Sequence, residues 1–163
     1  MNKLVNELVN KFEPESRLRE LGIVLPTVSA PAGNYVSVVR MGNLVFSSGK
    51  APSAMNGIVP KGKLGREYTS AEGYQLARLA CLDLLATLAK ELGSLNHIAR
   101  FIELHGSLNT TADFEDHARV LDGASDLLVE IFGENGLHVR SVIGVHSLRN
   151  GVPLTLKATL EVY

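Results

Sequence analysis

Apolar side chains recur every three or four positions in some stretches of the chain and every second position in others, and those two periods divide it into elements. In residues 2–12, Leu4, Val5, Leu8, Val9 and Phe12 fall on one helical face. Pro14 stops that helix, and residues 15–21 are long enough for one or two further turns. Pro26, Pro31 and Gly33 make 26–33 a loop. Residues 35–40 and 44–48 are rich in β-formers and flank Met41-Gly42-Asn43, which predicts a hairpin with a short connection. Residues 49–68 carry Pro52, Gly57, Pro60, Gly62 and Gly65 and read as a loop, long enough for a small domain to suggest a functional one.

Thr69-Ser70-Ala71-Glu72 has the spacing of a capping box, in which the threonine hydroxyl and the glutamate carboxylate satisfy each other's backbone amides. A largely apolar run over 76–92 follows, and Gly93 supplies its stop. Its wide apolar surface calls for cover on more than one side. Residues 98–108 predict a strand in which Phe101, Glu103 and His105 share one face and Ile102 and Leu104 the other. Asp113 is placed to cap a second long helix over 114–132, ended by Gly133. Residues 139–145 and 153–162 are the last two strands, joined by a tight turn at Arg149-Asn150-Gly151. The final strand sorts Leu154, Leu156, Ala158, Leu160 and Val162 to one face and Thr155, Lys157, Thr159 and Glu161 to the other.

Two strands, helix, strand, helix, two strands predicts an α+β fold: a mixed β-sheet with two long helices packed on one face, behind an N-terminal helical extension. The sheet's second face is then left without helices, and its polar residues suit a wet interface or cavity. The 163 residues suit one domain over 1–163.

Composition removes several classes of function. With 16 basic and 17 acidic side chains the formal net charge is -1, which argues against sequence-independent nucleic-acid binding. No stretch reaches the length of a membrane span, and the first residues lack the uninterrupted apolar core of a signal peptide, so a cytoplasmic protein is expected. Cys81 is the single cysteine, set in an apolar run where a small buried hydrophobe is expected. His97, His105, His117, His138 and His146 are scattered without metal-ligand spacing, so no metal and no cofactor is expected. His105 stands apart from the other four by sharing a strand face with Glu103. Arg140 heads an otherwise apolar strand, where a guanidinium needs a carboxylate. Either an anionic ligand or an acidic side chain at a subunit interface would serve.

Gly33-Asn34-Tyr35, then Met41-Gly42-Asn43-Leu44-Val45-Phe46-Ser47-Ser48-Gly49, resembles the opening signature of the reactive intermediate deaminase family (Rid/YjgF, L-PSP endoribonuclease-like). Arg140-Ser141-Val142-Ile143-Gly144-Val145, with Leu148 and the final strand, resembles its closing signature. The resemblance covers 30–163 and leaves 1–29 as an extension. Residues 21–26 and 120–127 resemble a longer branch of the family.

The resemblance implies a chorismate-mutase-like trimeric barrel, a homotrimer with clefts between subunits. It implies an arginine, here Arg140, that binds the carboxylate of a 2-imino or 2-enamino acid on its way to a 2-keto acid and ammonia. Tyr35, Ser48, Gly49 and Asn109 are the implied ligand-binding residues beside Arg140. Thr155 stands where the deaminases carry a glutamate, Lys50 where they carry glutamine and Asn34 where they carry proline. Arg140, Thr155 and Glu103 are accordingly the catalytic candidates, with Thr155 or Glu103 placing water. Three functions follow: a small-carboxylate site with imine hydrolysis, a non-catalytic binding trimer, which Thr155 slightly favours over the first, and an endoribonuclease, the weakest fit.

Overall fold

The computed structural model describes residues 13–54 and 56–163. The helix expected over 2–12, with its Leu4, Leu8 and Phe12 face, lies outside the described residues.

Helix α1 (Pro14–Glu20) begins with proline at its first position, where no backbone donor is needed. It is tied down rather than trailing. The Glu15 carboxylate accepts from Ser94 Oγ at 2.6 Å and the Leu95 amide at 3.1 Å. Leu18 is buried in the core, and Arg17 Nε donates to the Glu130 carbonyl at 3.1 Å.

Strands β1 (Val38–Met41) and β2 (Leu44–Ser47) form the expected antiparallel hairpin around Gly42. The ladder starts three residues later than the sequence suggests. Before it, the Ser48 amide donates to the Ser37 carbonyl at 2.8 Å, and Ser48 Oγ donates to the Val36 carbonyl at 2.7 Å. Helix α2 (Ser70–Leu92) carries the predicted capping box, both halves formed, and ends at Gly93 with φ 81°. A left-handed φ is one that glycine adopts without cost.

Strand β3 (Ile98–Asn109) is followed by helix α3 (His117–Phe132), strand β4 (Val139–Val145) and strand β5 (Leu154–Val162). The sheet order is β1-β2-β5-β3-β4, with β3 and β4 parallel and the other neighbours antiparallel. Both long helices contribute to one core with the inward residues of the sheet: Leu84, Leu88, Leu121 and Leu128 meet Leu104, Leu108, Leu156 and Leu160, all with no exposed surface. This is the mixed α+β sheet with helices on one face that the pattern predicts. The helices approach closely where a Cβ on Gly123 would fall on the Tyr74 carbonyl.

Two expectations are corrected. The alternation in β3 does not hold over its first half. Register shifts between Ile98 and Arg100, and between Phe101 and Glu103, insert extra residues, so Phe101 turns into the core while Glu103 and His105 stay on the open face. Asp113 does not cap α3. The Leu64 amide donates to the Asn109 carbonyl, and the Thr111 amide donates to the Leu64 carbonyl, so 110–114 is spent in a turn. The helix begins at His117 instead. Its flanking Asp116 makes no side-chain cap and accepts from Ser70 Oγ at 2.6 Å.

Candidate functional site

Sheet register decides which of the candidate residues can meet. Thr155 faces Ser107 on β3, which faces Ile143 on β4, and this row lies on the open face. Arg140 faces Leu104, a core residue with no exposed surface, which faces Ala158. Arg140 and Thr155 therefore project from opposite faces of the sheet. Glu103 lies in a third row, between Thr159 and Val139, on the open face. It lines a shallow pocket of about 110 Å³ with Phe46, His105, Lys157 and Thr159. The His105 ring is held by Ser141 Oγ at 2.7 Å. The three catalytic candidates do not form one cluster in a single chain.

Arg140 is occupied at one end. Its Nη1 pairs with the Asp122 carboxylate at 2.8 Å and donates to Ser125 Oγ at 3.0 Å, while Nη2 reaches the Ala118 carbonyl at 3.4 Å. The acidic partner is thus on α3 of the same chain rather than across a subunit interface. A guanidinium has five N–H groups. Among the described residues the Nε–H and one Nη2–H have no acceptor, and these are left for another group. The same helix face orients His138: a carbonyl can only accept, so Nδ1–H donates to Gly136 O at 2.6 Å and Nε2 accepts from Ser125 Oγ at 3.0 Å. Asp122 and Ser125 are three apart on α3, the spacing that puts both beside β4. Their block was visible in the sequence, but not its role as a bracket for Arg140.

The ligand-binding candidates divide similarly. Tyr35 and Gly49 line one cavity of about 470 Å³, closed by residues 27–32, by 50–54 and by the 149–152 turn. Tyr35 Oη accepts from the Ala32 amide at 3.3 Å, which leaves its proton to donate. A Cβ on Gly49 would lie 3.8 Å from Thr155 Cβ, so Thr155 stands just behind this wall. Ser48 adjoins the cavity, but its hydroxyl is taken by the Val36 carbonyl. Asn109 is buried and used internally. It accepts from Lys63 Nζ at 2.7 Å and donates to the Val152 carbonyl at 3.3 Å, so it braces loops rather than facing a ligand.

Charged groups that the motifs did not single out as ligand contacts complete the cavity: Lys50, Asp83 and Arg149. Burial pushes the Asp83 carboxyl above the usual carboxylate range, against the opposing effect of the Ser53 amide that donates to it at 2.9 Å. Cys81 is fully buried and its thiol is pushed up to about 12 by that burial, which makes it a packing residue and not a nucleophile. Among the described residues no helix is long and apolar enough to cross a membrane.

A five-stranded mixed sheet with two long helices on one face, and candidate pocket residues split between its two sides, defines an α+β protein with an incomplete site in each chain. The solved structures it resembles have the YjgF-type fold. Residues 15–155 match the family described as "YjgF/chorismate_mutase-like, putative endoribonuclease", and the chain belongs to that family. It is 36% identical over 147 residues to Protein TCP17 of Trypanosoma cruzi, covering 90% of this chain and 92% of that one. A crystal structure from Shewanella oneidensis MR-1, carrying the same endoribonuclease description, shares 37% identity with a TM-score of 0.88, over 92% of this chain and 99% of that one. E. coli TdcF with bound serine shares 22% identity with a TM-score of 0.59, over 86% of this chain and 98% of its own, a likeness of fold.

Proposed function

We propose that this protein is a homotrimer whose pockets between subunits bind small carboxylate-bearing metabolites. Arg140 anchors the carboxylate, and Tyr35 with the Ser48-Gly49 turn forms the opposing wall. The observation that carries this reading is the division of the site. One copy holds the Tyr35–Gly49 cavity apart from the free edge of Arg140, and a closed ring of copies joins such halves through a heterologous contact. Exposed Val39, Phe46, Val139 and Ile143 on the open sheet face supply apolar surface for that contact. Serine, which TdcF binds on this fold, is a small acid of the expected kind. A cytoplasmic setting belongs to the same reading, the chain having no cysteine pair for an internal disulfide.

Binding is favoured over hydrolysis because of Thr155. To hydrolyse a 2-imino acid, water must add to the imine carbon, the carbon–nitrogen bond must break, and ammonia must leave with a proton delivered to nitrogen. A threonine hydroxyl behind Gly49 orients a water but does not take its proton near neutrality, and Glu103 stands in a separate row. Imine or enamine hydrolysis is the second reading, kept by the presence of Arg140 and Tyr35. The endoribonuclease description finds no support in a net charge of -1 or in histidines held by Ser125, Ser141 and backbone carbonyls.

The test combines sedimentation with calorimetry using pyruvate and 2-ketobutyrate. Wild type is expected to sediment as a trimer and bind one ligand per cleft. Arg140→Lys keeps the charge but loses the bidentate fork, so affinity falls by about 1–3 kcal/mol while the trimer persists. A monomer at micromolar concentration, or unchanged binding in Arg140→Lys, overturns the proposal. Efficient turnover of 2-iminobutyrate by wild type would move hydrolysis ahead of binding.

A further inference from the structure

The cavity beside Tyr35 and Gly49 is charged in a way that one carboxylate on Arg140 leaves unexplained. Its charged lining is Lys50, Asp83 and Arg149, two cations against one carboxylate. Asp83 is engaged by the Ser53 amide and feels Lys50 only through its field. Neither the Lys50 ammonium nor the Arg149 guanidinium makes a hydrogen bond or ion pair among the described residues. By contrast Arg17, Arg66, Arg78, Arg100 and Arg140 each have a carboxylate partner. A chain with formal net charge -1 thus places unneutralised positive charge in this cavity.

Both cations sit on pinned backbone. Lys50 exchanges two hydrogen bonds with Leu156, 2.7 Å from its amide and 2.8 Å to its carbonyl, which extends the sheet to the cavity wall. Arg149 opens the turn Arg149–Gly151, whose Gly151 carbonyl accepts from the Gly62 amide at 2.9 Å. Fixed attachment points reduce the ordering cost of holding a ligand.

We infer that the ligand of this pocket is a dianion: one carboxylate on Arg140 of the adjoining copy, and a second anionic group, carboxylate or phosphate, between Lys50 and Arg149. This rests on the pocket reading above and names the ligand class within it. Lysine acts as a point charge and arginine as a fork, and together they suit either anionic group. Asp83 beside them sets the depth at which the anion stops, because a closer approach would bring it against a carboxylate.

Calorimetry on the full-length assembled protein with propionate, succinate and 2-phosphoglycolate tests this. Succinate or 2-phosphoglycolate is expected to bind at least tenfold more tightly than propionate, and which of the two does so identifies the second group. The double variant Lys50→Met with Arg149→Met is expected to erase that advantage, so that the dianions bind no more tightly than propionate. Arg140→Ala is expected to weaken all three. If propionate matches both dianions in wild type, or the double variant keeps the preference, the inference falls and the small-acid pocket stands. If the dianion preference depends on Lys50 and Arg149 but Arg140→Ala changes nothing, the cation pair holds and the Arg140 anchor is wrong. If none of the three binds, both readings fall.

Discussion

The two faces of the sheet are made from the same strands and have opposite fates. On the helix side, Leu104, Leu108, Leu154, Leu156 and Leu160 have no exposed surface, covered by α2 and α3. On the other side, the row Val39, Phe46, Thr159, Glu103 and Val139 crosses all four ladders, and among the described residues no helix packs above it. Phe46 is 41% exposed and Val139 69%. A chain that spends its leucines on one face and leaves valine, phenylalanine and isoleucine on the other has completed only one of its two interfaces by folding. On the proposed reading the second is completed by assembly.

The sharpest contrast is between adjacent residues of β3. Leu104→Ala deletes a fully buried side chain at the centre of the sheet and is expected to cost about 2–5 kcal/mol. His105→Ala, one residue on, removes an open-face ring and is expected to cost under about 1 kcal/mol, since surface changes mostly lie within half a kcal/mol of zero. Urea unfolding of both variants checks the pair. Equal losses would mean that the open face contributes to the single chain as much as the core does.

Gly123→Ala comes next. The added methyl would meet the Tyr74 backbone, which cannot swing away as a side chain can, so α2 and α3 must separate. Overpacking of this kind costs about 1–3 kcal/mol. Thermal unfolding should fall accordingly, and an unchanged midpoint would show that the helix pair has slack.

How much of this was legible in the sequence depends on the range of the interaction that decides it. The capping box at Thr69, the glycine stop of α2 and the inward alternation of β5 are local, and each formed as the residues indicate. Phe101 was misplaced because its face depends on bulges between β3 and β5, a pairing of residues some sixty positions apart that no local period records. Asp113 failed as a cap for the same reason: Leu64, far upstream, claims the backbone of 109–111. Arg140 stood out as an arginine that needed a carboxylate. That Asp122 would be the partner depends on α3 lying beside β4, which is tertiary packing. Lys50, Asp83 and Arg149 belong to three separate segments, and only the folded chain puts them around one cavity.

Smaller in stability, but decisive for assembly, is the double change Val39→Ser with Phe46→Ser. These residues face each other across the hairpin on the open side. Their loss is expected to change the unfolding free energy of the isolated chain by less than about 1 kcal/mol, since both already meet water. Sedimentation should nonetheless shift from the assembled species toward the single chain. An assembly that survives this change does not use the open face.

The smallest expected effect is at Arg140, and it separates a ligand anchor from a structural ion pair. The Arg140 side chain is 28% exposed and that of Asp122 47%, so both charges keep much of their hydration when the pair is broken. Partly exposed pairs contribute about 0–1 kcal/mol in double-mutant cycles, whereas breaking a buried pair costs about 3–5 kcal/mol. Ser125, which also accepts from Arg140, keeps its bond to His138 when the arginine is gone. The cycle of Arg140→Ala, Asp122→Ala and the double variant should therefore give a coupling below about 1 kcal/mol, with trimer mass unchanged. Binding of small acids should behave differently: lost in Arg140→Ala, and only weakened in Asp122→Ala, where the guanidinium remains but its bracket is gone. A coupling of several kcal/mol with dissociation of the assembly would assign Arg140 to holding β4 against α3. The pocket would then have to find its anion anchor in Lys50 and Arg149 alone.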